Sequence, residues 1–385
     1  MSWPMVSIES VAKVITGKTP PKADPNCFGG NIPFITPSEL TDSDYLLKPE
    51  TTLTEKGLAT TKLIPKNSIL VCCIGSLGKM AIADLPVATN QQINSVIFDD
   101  DKIYYRFGFY ALKLLKNDLK KIAPSTTVAI INKSRFSELK IPCPPLEEQK
   151  RIATILDKAD GIHKKREQAI KLADDFLRAK FLEMFGTPAN NIHRFPKGTI
   201  RDLVDSVNYG TSAKASIDSG EYPILRMGNI TYQGRWDFTD LKYLDLSVKE
   251  KDKYLVKEGD LLFNRTNSKE LVGKTAVYEE DRPMAFAGYL IRVRPNSIGN
   301  NYYISGYLNS IHGKITLMNM CKSIVGMANI NAQELQNIEI LIPPKHLQDE
   351  YEIIYKKIKK GLSIYDKSAM QLQLLASNLL NKYFM

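Results

Sequence analysis

Apolar residues recur at intervals of three and four along two long stretches of this chain. The first, IPCPPLEEQKRIATILDKADGIHKKREQAIKLADDFLRAKFLEMF over residues 141–185, aligns Ile152, Ile155, Ala159, Ile162, Ala169, Ala173, Phe176, Leu177, Phe181 and Met184. That spacing predicts one amphipathic helix with a continuous apolar stripe. Lys164, Lys165, Arg166, Glu167 and Lys171 take the polar face. Pro144 and Pro145 fix φ and keep the helix from starting earlier. Glu147 and Glu148 suit the first turn, where the helix dipole favours negative charge. At 1.5 Å per residue such a helix spans roughly 55–60 Å. That exceeds the width of a small domain, so the helix projects from its domain or connects two.

The second stretch, ILIPPKHLQDEYEIIYKKIKKGLSIYDKSAMQLQLLASNLLNKYF over residues 340–384, repeats the first at a shift of 199 positions. Pro144 and Pro145 fall on Pro343 and Pro344, Gln149 on Gln348, Ile155 on Ile354 and Phe185 on Phe384; upstream, Ala129 falls on Ala328 and Asn132 on Asn331. The second stripe runs Leu347, Tyr351, Ile354, Ile358, Leu362, Tyr365, Ala369, Leu372, Ala376, Leu379 and Tyr383. Its heptad phase slips near Gly361, which predicts a loosened or kinked helix there. A repeat of this length is a duplicated domain and not a solenoid module.

The segments between the helices share one order of elements. In residues 1–145, strand-length apolar runs at 32–35, 69–74, 80–83 and 93–98 are flanked by Gly, Pro, Asn or Asp. Loops GKTPPKADPN from Gly17 and GSLGK from Gly75 separate them, residues 103–122 have helical spacing, and the loop APSTTVA follows. In residues 187–342 the runs are 222–225, 261–263, 275–278 and 289–293, with a helix over 302–320 and the loop SIVGMANIN. The expected fold class is therefore α+β. Two homologous α+β domains (1–145 and 187–342) are joined by a central helix (146–186) and a C-terminal helix (343–385). The two helices bury their stripes against each other as an antiparallel coiled coil, related by a pseudo-twofold axis. Each buried stripe position contributes about 1–3 kcal/mol.

Composition adds bounds. A chain of 385 residues accommodates two or three domains. No apolar run is long enough to cross a membrane, and the opening MSWPMVSIESVAK lacks the plan of a signal peptide, so a cytoplasmic protein without membrane contact is expected. Five cysteines without a C-x-x-C pair read as reduced thiols. The net charge of +10 fits either a soluble basic protein or a surface that faces a polyanion.

Catalytic constellations are poorly supported. Gly273–Thr275 spells GKT, but Ser268 replaces the first glycine of a phosphate loop and the segment precedes a strand. Asp118, Glu138 and Lys140 loosely mimic a nuclease set, whereas the second half has Asn337 and Glu339 at the matching places. His163, His193, His312 and His346 are scattered, so no metal site is expected. CPPL at 143–146 lacks the Asn or Asp of an amino-methyltransferase motif.

Loops rich in groups that read nucleic acid remain. FNRTNSKELVGK over 263–274 offers Asn264, Arg265, Thr266, Asn267, Ser268 and Lys274, and RMGNI offers Arg226 and Asn229. In the first half Asn90, Gln91 and Gln92 precede a strand and Lys79 follows a glycine loop. Arg matches guanine edges, and Asn or Gln matches adenine. Lys18, Lys22, Lys133 and Lys214 are placed to meet phosphate.

A duplicated α+β domain whose copies each end in a proline pair, a glutamine and a long helix resembles the specificity subunit of type I restriction–modification enzymes. IPCPPLEEQKRIATILDKAD is similar to that family's central helix, and NRTNSKELVGK to a loop of its recognition domains; the second copy departs by placing Lys345 and His346 where Leu146 and Glu147 stand. The resemblance implies a non-catalytic subunit with two target-recognition domains, each reading one half of a split, asymmetric site on double-stranded DNA. It implies that the helix pair sets the spacer. Pro144, Pro145, Gln149, Ile152, Ile155, Pro343, Pro344 and Gln348 would then serve spacer and partner docking. The implied partners are two DNA adenine methyltransferase subunits and two restriction/translocase subunits. Cofactors, namely S-adenosylmethionine, ATP and Mg, would be bound by those partners and none by this chain. Alternatives left open by the residues are a specificity subunit for a type II partner that fuses methylation and cleavage, a nuclease built on Asp118, Glu138 and Lys140, and an adaptor without base readout.

Overall fold

The computed structural model describes residues 3–41, 44–122, 129–324 and 327–384. The chain forms two units, one of Met1–Lys164 with Ser368–Met385 and one of Lys165–Lys367. Residues 123–128 of the first expected long loop, and 325–326 of its counterpart, lie outside the described residues.

The first unit opens with β1 (Met5–Ser7), α1 (Ile8–Val11) and β2 (Ala12–Thr16). It continues through β3 (Phe28–Ile35), β4 (Thr52–Leu53), α2 (Glu55–Leu58), β5 (Ile69–Cys72), β6 (Met80–Ile82), β7 (Ala88–Thr89) and β8 (Ile93–Phe98). Helices α3 (Tyr105–Leu114), α4 (Lys116–Ile122) and α5 (Lys133–Ser137) follow, then β9 (Lys140–Pro142) and the long α6 (Leu146–Phe185). The central sheet runs β2-β8-β5-β6, antiparallel throughout. A smaller sheet runs β4-β3-β7, and β1 pairs with β9 beside the proline cluster. Strand β5 is apolar at every position because both faces are covered: Ile69 and Val71 enter the core shared with α3 and the start of α6, while Leu70 and Cys72 enter a second core with Ile35, Leu40 and Ile64.

The second unit takes in the later part of α6, then β10 (Lys197–Thr199), β11 (Val204–Tyr209), β12 (Tyr222–Leu225), β13 (Lys242–Leu244), α7 (Val248–Tyr254) and β14 (Leu255–Val256). Next come β15 (Leu261–Asn264), β16 (Thr266–Asn267), β17 (Thr275–Val277), β18 (Met284–Phe286), β19 (Leu290–Pro295), α8 (Asn301–Asn309) and α9 (Ile311–Met320). It closes with β20 (Lys322–Ile324), β21 (Met327–Asn329), α10 (Ala332–Gln336), β22 (Glu339–Leu341) and α11 (Lys345–Phe384). Its central sheet, β11-β19-β15-β17, repeats the order found in the first unit; β13-β12-β18-β14 form the second sheet and β10 pairs with β22. Within this unit α6 and α11 run antiparallel. Phe181 and Phe185 meet Tyr351 at ring distances of 5.4 and 5.9 Å, and a small cavity is lined by Asp174 and Leu177 on one helix and Tyr355, Lys359 and Leu362 on the other.

Three expectations are corrected. The single helices expected over 103–122 and 302–320 are each two helices, broken at Leu115 and Ser310. At the second break the Ser310 hydroxyl donates to the Tyr307 carbonyl at 2.6 Å and accepts from the Gly313 N–H at 3.0 Å, a cap that apolar periodicity does not register. Along α6 most of the stripe is buried or half-buried, but it is broken at Ile162 and Phe176, which are 45% and 49% exposed. Third, α11 passes through Gly361 without interruption. The side chains of Tyr365, Ala369, Leu372, Ala376, Leu379 and Tyr383 lie outside the described residues.

Candidate nucleic-acid interface

Antiparallel order brings alternate strand ends to one edge. In the second unit β11 ends at Tyr209 and β15 at Asn264, while β17 begins at Thr275 and β19 at Leu290. Tyr209, the 264–274 loop and Tyr289 therefore gather at the same end of the sheet, joined by β21, whose Asn329 pairs with Thr266. Arg265 is the hub. Its guanidinium lies 4.8 Å from the Tyr209 ring centre and approaches the Gly288 carbonyl and the Asn329 side-chain oxygen, each at 3.4 Å. Tyr209 and Tyr289 remain 41% and 53% exposed, and the Tyr209 hydroxyl accepts the Ala332 N–H at 2.9 Å. Exposed aromatic faces next to a partly solvated guanidinium can stack on bases and meet their edges.

Several sequence candidates at this edge pair within the protein. Asn264 is fully buried, donating to the Leu271 carbonyl and accepting from the Thr266 N–H. Asn229 is buried, with its amide on the carbonyls of Asp237 and Asp240 and its oxygen taking the Arg226 N–H at 2.8 Å. Arg226 itself is turned onto Asp240 at 2.8 Å. Lys274 is only 7% exposed and donates to the Met227 carbonyl at 2.8 Å. These polar groups pair inward because an unmet buried donor or acceptor costs about 1–3 kcal/mol. Asn267 accepts from the Ser268 N–H at 2.9 Å, and the Ser268 carbonyl takes the N–H groups of Leu271 and Val272, so both shape the turn while staying half-buried.

The corresponding edge of the first unit is formed by the end of β2, the start of β8, the end of β5 and the start of β6. Lys18 is exposed, its backbone N–H on the Thr89 carbonyl at 2.9 Å. Gln91 is exposed and accepts from the Thr19 hydroxyl at 2.6 Å. Asn90 is buried and spends its side chain on Gln92, through bonds of 3.0 Å to that residue's side chain and backbone N–H. Lys79 is exposed just before β6, as are Lys22 and Lys214 on their loops and Lys133 at the start of α5. Thus Lys18, Lys79 and Gln91 present free surface, while Asn90 and Gln92 hold the strand end in place.

At the foot of each long helix the residues assigned to partner docking are largely interior. Gln149 and Gln348 are fully buried, Ile152 is in the core, Pro144 and Pro343 are buried, Ile155 is half-buried, and Pro145 and Pro344 are exposed. Asp118 pairs with Lys121 on its own helix at 3.6 Å, and Glu138 and Lys140 are exposed on separate elements. Among the described residues no group of three or more His, Cys, Asp or Glu is arranged to hold a metal ion, and no helix is long and apolar enough to cross a membrane. Burial pushes the Cys73 thiol up to about 12, so it stays protonated and inert. Sequence reasoning missed Tyr209, Tyr289 and Asn329, because only strand pairing shows that they surround Arg265.

Comparison with known proteins gives a consistent result. The family model described as "Type I restriction modification DNA specificity domain" matches residues 2–172 and again 195–377. The type I restriction enzyme MjaIX specificity subunit of Methanocaldococcus jannaschii is 23% identical over 406 aligned positions, covering 99% of this chain and 92% of that one. The EcoKI specificity subunit of Escherichia coli K12 is 24% identical, covering 91% and 80%. In fold, the chain is similar to the crystal structure of a type I restriction-modification S subunit from M. genitalium, with a TM-score of 0.65, 18% identity and coverage of 100% and 96%.

Proposed function

The chain belongs to the type I restriction modification DNA specificity family, and from that premise we propose that each unit reads one part of a split site on double-stranded DNA through the sheet edge described above. As a specificity subunit it is the non-catalytic member of a type I restriction–modification complex. The observation that carries the reading is the repeated sheet: two units share one strand order but present different side chains at the same edge. Arg265, Tyr209 and Tyr289 lie at one edge and Lys18, Lys79 and Gln91 at the other. Matched scaffolds with unlike surfaces suit an asymmetric target.

Two further parts belong to this reading. Helix α6 carries 40 residues, about 60 Å at 1.5 Å per residue, and its length sets the spacer between the two parts of the site. Two DNA adenine methyltransferase subunits dock on the chain, and two restriction/translocase subunits join through them. Those partners bind S-adenosylmethionine, ATP and Mg; this chain supplies position and sequence selection. The test is to co-express the chain with its methyltransferase partner and map methylated adenines across a host genome. A split motif with a fixed gap, absent without this chain, is the expected result. Methylation that is independent of the chain, or a continuous motif, overturns the reading.

A further inference from the structure

Lys274 and Lys314 form an uncompensated cationic pair beside the proposed reading edge. Lys274 is buried and Lys314 half-buried. The Lys314 ammonium approaches the Gly273 carbonyl at 3.5 Å and lies 4.9 Å from the centre of the half-exposed Tyr232 ring. The Lys274 ammonium holds the Met227 carbonyl. Neither forms an ion pair with a carboxylate among the described residues. Burial lowers the Lys274 value, and burial together with Arg178 and Lys274 brings that of Lys314 down to about 8. Two desolvated ammonium groups without a counter-charge are costly, and an anion would relieve that cost.

The geometry places this pair with respect to the reading edge. Lys274 precedes β17, next to β15 in the sheet, and neighbouring strands are about 4.8 Å apart. It therefore lies one strand from Arg265. The first unit has the same backbone step, with its lysine exposed: Gly78–Lys79 precedes β6 as Gly273–Lys274 precedes β17. The Lys79 carbonyl takes the Cys72 N–H at 2.8 Å, as that of Lys274 takes the Asn264 N–H at 2.8 Å. We propose that Lys314, with the buried charge of Lys274 behind it, forms a seat for one backbone phosphate of the DNA, fixing register on the strand while Arg265 meets the bases. Phosphate contacts position the protein and carry no sequence information.

This inference rests on the DNA-reading role, and its test separates the two. The assembled methyltransferase complex is titrated with a duplex carrying its methylated motif, over a series of KCl concentrations. If no motif can be mapped, the role itself fails. With a motif in hand, Lys314→Met is expected to lower affinity without changing the motif and to reduce the slope of log K against log [salt] by about 0.9, the loss of one phosphate contact. Lys314→Arg restores the slope. Raising the pH through about 8 discharges Lys314, with Arg178, Lys274 and the Tyr232 ring as its neighbours. The wild-type slope should then approach that of Lys314→Met, while Lys314→Arg keeps its own. An unchanged slope in Lys314→Met overturns the seat. So does stabilisation of the wild type by inorganic phosphate alone with no effect on the DNA slope, which would assign the pair to a free anion.

Discussion

Gln348 repeats Gln149 at a distance of 199 residues: each donates its amide to the proline carbonyl five residues upstream at 2.8 Å, and each holds a carbonyl of the loop before the neighbouring helix, Lys102 at 2.8 Å and Ile298 at 3.0 Å. The pair differs at the other side-chain atom. Gln149 accepts the Tyr104 N–H at 2.8 Å, whereas the Gln348 oxygen has no partner among the described residues. Replacing Gln149 with Leu orphans the Tyr104 N–H and the Pro144 carbonyl, and leaves the Lys102 carbonyl only the weak Cys143 thiol contact at 4.0 Å. The expected cost is about 2–4 kcal/mol. Gln348→Leu orphans only the two carbonyls and should cost less. Urea unfolding of the two variants, followed by hydrogen exchange in each unit, reads the difference.

Arg106 anchors the first unit to its helix. Its guanidinium is buried, its Nε donates to both oxygens of Asp157 at 3.0 and 3.2 Å, and the Tyr110 hydroxyl donates to the same carboxylate at 2.7 Å. Asp157→Ala should destabilise this unit by about 2–3 kcal/mol, below the 3–5 kcal/mol of a fully buried pair. Asp157 keeps some hydration, and Asp44 still stands 3.6 Å from Arg106. Faster amide exchange in α3, with α8 unchanged, is the signature.

The two Gly-Lys steps differ in tolerance. Gly78 and Gly273 both have positive φ, 75° and 78°, which costs an L-residue about 1–2 kcal/mol. A Cβ at Gly273 would sit 2.6 Å from the buried Leu317, whereas at Gly78 it would meet the Lys116 side chain at 2.7 Å. A lysine stem can swing aside and a core leucine cannot. Gly273→Ala should therefore lower the melting temperature more than Gly78→Ala does.

Arg265 is the sharpest test of base reading in the second unit. Arg265→Ala removes a guanidinium able to meet a base edge, worth about 1–3 kcal/mol of discrimination. Genome methylation by the variant should relax at one position in one part of the motif. The other part should keep its sequence.

Much of the architecture was legible because it rests on periodicity. The proline pairs marked the starts of α6 and α11, and the shift of 199 exposed the repeat that the matched sheet orders display. What stayed hidden depends on neighbours distant in sequence. Asn264 and Asn229 look like base-reading residues until strand pairing encloses them, and Ser310 looks helical until its cap is seen. Ile162 and Phe176 fit the stripe in phase but are left half-exposed, because spacing gives a face and not what covers it. The edge around Arg265 joins Tyr209, Tyr289 and Asn329, residues up to 120 positions apart, and only the strand order β11-β19-β15 and the pairing of β16 with β21 bring them together.

The most direct measurement is an exchange of residues 187–342 for the matching segment of a family member with a different target, followed by mapping of methylated adenines. One part of the split motif should change to that of the donor, with the other part and the spacer retained. A chimera that assembles and methylates the original motif unchanged, or one that alters both parts together, would contradict the claim that each unit reads its own part.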